Sequence, residues 1–119
     1  MSVRDPKLTL EQMGDFATKA HSLTKGRSVE QIAADDMLRG ALERYVSLVG
    51  EAATRLDRSF QDRYPQVPWH RIIGMRNILV HGYDAIDDQV LWDTASLRTV
   101  ELIAEIDRVL RELGSGDVV

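Results

Sequence analysis

Residues 76–83 read RNILVHGY. An arginine and a histidine stand five positions apart in an apolar run, and a tyrosine follows two positions after the histidine. Histidine takes or gives a proton near neutral pH. Arginine stays charged and can stabilise a phosphoryl group that gains negative charge. Together, His81 and Arg76 suffice for metal-free cleavage of RNA. The imidazole would take the proton of a ribose 2′-hydroxyl, that oxygen would attack the adjacent phosphorus, and the guanidinium would hold the charge. DNA lacks this nucleophile. A plainer reading covers the same residues: Arg76 in a structural ion pair, and His81 favoured in a last helical turn by the dipole.

These side chains need a helix to position them. Pro68 suits a first turn, and the spacing predicts a helix from Trp69 to His81 that Gly82 ends. On its wheel Ile72, Ile73, Arg76, Leu79, Val80 and Tyr83 fall near one side. Arg76 there needs an anion, because an unpaired buried charge is costly. Glu51 is a candidate partner, and so is a bound phosphate, which the guanidinium fork fits. Five residues carry His81 about 140° round the axis and roughly 7.5 Å along it from Arg76. The two groups can therefore converge only at a helix end or across a two-fold axis. Asn77, four before His81, shares its face and can orient the imidazole.

The remaining pattern is helical throughout. A first helix is expected to open at Thr9, with Gln12 completing a capping box, and to stop at Gly26. A second opens at the capping box Ser28–Gln31 and runs unbroken to Phe60 or Arg63, with Asp35 and Asp36 inside it. Its apolar residues cover more than one stripe, so it is expected to be buried on two sides, the second by another subunit. Asp87 or Asp88 caps a last helix with Val90, Leu91, Ala95, Leu102, Ile106 and Val109 facing inward. Residues 114–119 look frayed. The expected fold is all-α: one domain spanning 1–119, an antiparallel bundle of four to five helices.

Composition narrows the function. The chain has 119 residues, 44% hydrophobic and 29% charged, as in ordinary globular proteins. Cysteine is absent, which rules out disulfides and thiolate metal sites. No long apolar span and no signal peptide is seen, so a cytoplasmic location without membrane contact is expected. Net charge is −4, against a general nucleic-acid coat. From Arg55 to His81, however, five arginines face only Asp57 and Asp62, so this segment carries +3 and the rest −7. Arg71 belongs to this patch, which suits a local anion site or a solvated helix face. His70 and His81 lie roughly 16 Å apart along one helix and cannot share a metal. No metal and no cofactor is expected. Trp69 and Trp92 read as core.

The string Gly74–Tyr83 resembles the HepT-like branch of the HEPN family, whose signature is Arg, four to six residues, His, with a tyrosine two later. Val49-Gly50-Glu51-Ala52-Ala53 and Pro68-Trp69-His70-Arg71-Ile72-Ile73 look alike too, as do the Asp-rich turn and Val90-Leu91-Trp92. The resemblance implies an all-helical homodimer with paired Arg–His motifs in a cleft. It implies a metal-independent ribonuclease toxin of a type VII-like toxin–antitoxin pair, with RNA as substrate. Arg76 and His81 would be catalytic, Asn77, Glu51 and Arg71 supporting. A cognate minimal nucleotidyltransferase antitoxin would transfer AMP from ATP onto Tyr83 and silence the nuclease. Alternatives are a non-catalytic nucleotide-binding partner of a nucleotidyltransferase, and an inert helical dimerisation module.

Overall fold

The computed structural model describes residues 5–82 and 86–117. Its elements are α1 (Pro6–Ser22), α2 (Val29–Ala34), α3 (Asp36–Thr54), α4 (Arg58–Arg63), α5 (Trp69–His81), α6 (Asp88–Asp93), a π-helical turn (Thr94–Arg98) and α7 (Thr99–Asp117). No strand occurs among the described residues. The expected all-helical fold is therefore observed.

The first helix starts earlier than Thr9. Asp5 caps it by accepting from the Lys7 amide at 3.0 Å, and Pro6 occupies the first turn, where its missing N–H costs nothing. Thr9 is instead buried within the helix. Gly26, at φ 70°, supplies the left-handed turn after α1.

The long second helix expected from Ser28 is three helices. The capping box at Ser28 and Gln31 does form. Asp35, however, adopts extended backbone and caps α3, accepting from the amides of Met37 and Leu38. A second break follows Thr54, where Asp57 caps α4. The apolar rhythm resumes after both breaks: past Asp35, Met37 is left exposed but Leu38 and Leu42 are buried, and past Asp57, Phe60 is buried.

α3 is the central helix. It packs against α1 on one side and α5 on the other, and α1 also packs against α7. Leu10, Met13 and Ala17 of α1, Val49, Ala52 and Ala53 of α3, and Leu102, Ile106 and Val109 of α7 form one buried cluster. Ile32, Leu38, Leu42, Val46, Leu91 and Ala95 form a second, with Trp92 half-buried against it. Val90, expected inward, is exposed at the start of α6.

Thr94, Ser96 and Thr99 turn their hydroxyls back onto the carbonyls of Val90, Trp92 and Ala95. Such back-bonding loosens a helical ladder, which accounts for the π turn between α6 and α7. Through Gly114, Ser115 and Gly116, where fraying is expected from sequence, α7 runs on to Asp117.

α5 is joined to the body through Trp69. Its indole N–H donates to the carbonyls of Gln61 and Tyr64 at 3.1 and 3.0 Å, stapling the start of α5 to the end of α4. Phe60 and Tyr64 pack below in a tilted pair, 5.1 Å between centroids and 48° between planes, with Arg63 over both rings.

The Phe60 amide and the Ser59 hydroxyl donate to Asp57 and hold its carboxyl below its ordinary pKa. The stability this adds is present above the ordinary carboxylate value and is lost as pH falls through the lowered one. Asp57→Asn, which still caps but does not titrate, is expected to flatten the loss of melting temperature below about pH 5. Identical acid limbs for the two proteins would contradict this assignment.

Candidate functional site

The site begins with a missing side chain. α3 carries Gly50 where it crosses α5. A Cβ built there would lie 2.2 Å from Cβ of Arg76 and 2.9 Å from the carbonyl oxygen of Ile72. Real Cβ atoms do not approach so closely, so only glycine allows this contact. The close crossing brings the next residue, Glu51, alongside the arginine.

Arg76 Nε and Nη2 both donate to Oε2 of Glu51, at 3.2 and 3.1 Å. Nη1 donates to Oδ1 of Asn77 at 2.9 Å. The ion pair expected from sequence therefore exists, with Asn77 as a second restraint. Its side chains are 24% and 41% exposed, so solvent screens the pair and it adds about 1 kcal/mol or less to stability. What it fixes is position. A guanidinium has five N–H groups. Two of them have no acceptor among the described residues, which leaves part of the fork open for an anion.

His81 closes α5 and is exposed. Its imidazole makes no hydrogen bond to the described residues, Arg76 included. Asn77, expected to orient the imidazole, is instead bonded to Arg76. Yet Asn77 and His81 lie about 40° apart round the axis and roughly 6 Å along it. By reaching to Asn77, the Arg76 guanidinium leans toward the helix face that carries His81. Gly82 ends the helix in right-handed backbone, its amide donating to the Ile78 carbonyl at 2.7 Å. Tyr83 lies outside the described residues. The chain is picked up again at Ile86, where Arg39 of α3 donates to the carbonyl at 3.3 Å and pairs with Asp88.

Other candidates sit elsewhere. Arg71 lines a groove of about 450 Å³ between α3, α5 and α7, on the flank of α5 away from Asn77. Val80, placed by the wheel beside Arg76, is exposed near the helix end, and so is Ile78. No group of three His, Asp or Glu side chains is placed to hold a metal among the described residues. No helix there is long and apolar enough to cross a membrane. Gly50 is the residue that inspection of the motif alone misses. Its signal is the run of small residues Gly50, Ala52 and Ala53 near the end of α3.

Comparison with known proteins gives the geometry a context. Residues 13–109 match the family model described as ribonuclease HepT-like. A Methanocaldococcus jannaschii protein described as a candidate RNase is 31% identical over 109 residues, covering 92% of this chain and all of that one. A Caldanaerobacter subterraneus protein with the same description is 32% identical over 74% of this chain and 79% of its own. A Thermococcus cleftensis protein described as a candidate ribonuclease HepT is 29% identical over 76% of this chain and 83% of its own. No solved structure matches the chain.

Gly50→Ala is expected to push α3 and α5 apart and to destabilise the fold by about 1–3 kcal/mol, the usual range for overpacking. Gly40→Ala in the same helix meets nothing within 4 Å, so it is expected to be neutral or stabilising. Urea unfolding of both variants checks the contrast. Equal effects would show that the crossing is not tight.

Proposed function

Because this chain belongs to the HepT-like ribonuclease family, we propose that it is a metal-independent endoribonuclease acting through Arg76 and His81. The observation that carries this reading is the restrained arginine, tied by Glu51 and Asn77 with two N–H groups uncommitted, on a helix whose adjoining face ends in an exposed histidine. His81 removes the proton of a ribose 2′-hydroxyl. The 2′-oxygen attacks the adjacent phosphorus, the bond from phosphorus to the 5′-oxygen breaks, and the departing oxygen takes a proton. Arg76 stabilises the charge that builds on the phosphoryl oxygens. Asn77 and Glu51 position the guanidinium.

A homodimer completes the cleft. Among the described residues, the main packing partner of α5 is α3. The outer face of α5 leaves Ile78 exposed, which suits a second copy of the same surface. The protein acts in the cytoplasm as the toxin of a type VII-like toxin–antitoxin pair. Its partner is a cognate minimal nucleotidyltransferase. In silencing, the Tyr83 hydroxyl oxygen attacks the α-phosphorus of ATP, pyrophosphate leaves, and the tyrosine proton passes to solvent. The attached AMP adds a phosphate charge beside Arg76 and fills the cleft.

Protein free of nucleotidyl modification is expected to cleave RNA in the presence of EDTA and to leave 2′,3′-cyclic phosphate ends. His81→Ala is expected to lower kcat by about 10²–10⁴-fold, the usual worth of a general acid or base. Intact RNA after incubation with the unmodified protein would overturn the reading, and nucleotide binding without turnover would point to a non-catalytic partner. Ile78→Asp is expected to yield monomers by light scattering, whereas an unchanged dimer would place the interface elsewhere.

A further inference from the structure

α5 has two grooved flanks, and they differ in what they offer an RNA strand. The groove on the Arg71 side is also lined by Glu101 and Glu105 and stops short of Asn77. The groove on the opposite flank, about 640 Å³, includes Asn77 itself, so it is continuous with the restrained arginine. From Asn77 it runs back past Gly74 and His70 toward Arg58. His70, Asn77 and His81 fall within about 40° of one another round α5, with roughly 16 Å between the two histidines. That span suits a few nucleotides, counting roughly 3.4 Å for each stacked one.

Three further features fit a polyanion. The groove is preformed, because both of its sides are joined by the hydrogen bonds of the Trp69 indole to Gln61 and Tyr64. Its one carboxylate, Asp62, is met by Arg58 at 3.6 Å, and the two side chains are 69% and 90% exposed. A pair so exposed is weak, and a phosphate can replace the carboxylate at Arg58 without stranding a buried charge. Of the five arginines in the segment 55–81, Arg58 lines this groove, and Arg76 is bonded to Asn77 at its end.

We infer that this groove holds the single-stranded RNA flanking the cleaved phosphodiester, with Arg58 on a backbone phosphate and His70 along the strand. The inference rests on the ribonuclease reading and extends it by giving the strand a direction. It makes the enzyme favour strands of some length, because a dinucleotide held at Arg76 does not reach Arg58.

The test measures binding of an RNA of about ten nucleotides to the His81→Ala protein across a salt series, with and without Arg58→Ala. Loss of one phosphate contact is expected to reduce the slope of log K against log salt by about 0.7. Arg58→Lys, which keeps the charge, retains the slope, and Arg98→Ala on the opposite flank leaves it unchanged. In the active protein, Arg58→Ala is expected to raise KM more for the longer RNA than for a dinucleotide. An unaltered slope in Arg58→Ala, or equal KM effects at both lengths, overturns the groove assignment while cleavage by the parent protein still supports the ribonuclease reading. A parent protein that neither binds nor cuts RNA overturns both.

Discussion

The candidate site depends on how closely α5 approaches α3. At Gly50 the two backbones come nearer than any side chain there would permit, and Arg76 is pressed against the gap. Its guanidinium then finds Glu51 on one side and Asn77 on the other. The crossing is thus a positional device. Solvent screening keeps the ion pair from adding much stability, while its geometry removes rotamer freedom from a long flexible side chain before any ligand arrives. An arginine ordered in advance holds a developing charge without reorganising at the moment of reaction.

The body of the molecule serves that arrangement. α3 is locked between α1 and α5 by fully buried residues such as Leu10, Met13 and Leu42. Trp69 fixes where α5 starts, and its run of thirteen residues fixes where His81 ends up. α5 itself buries little beyond Trp69. A helix with that many half-buried apolar residues has a face left over, and the proposed two-chain cleft uses it.

Much of this was legible from residue types. Pro68 and Gly82 bracket α5 at its observed ends, and an arginine on the apolar side called for the carboxylate that Glu51 provides. The all-helical fold followed from uninterrupted 3.6-residue periodicity. Asp35 and Asp57 do not show as breaks in the sequence, because both lie in apolar rhythms that continue across them and an aspartate can equally be solvated on a helix face. The π turn depends on where three hydroxyls rotate, which a single sequence does not specify. Gly50 has meaning only once two helices are placed against each other. The lean of Arg76 toward Asn77, rather than a direct meeting of Arg76 with His81, is likewise a property of the folded rotamers.

The most direct measurement is the side-chain nitrogen NMR spectrum of the arginines. If the α3–α5 crossing holds Arg76 as described, its Nε–H gives a resolved, slowly exchanging resonance that disappears into the averaged arginine signal in Glu51→Gln. An Arg76 Nε–H that exchanges as fast as that of exposed Arg58 in the unaltered protein would contradict the account.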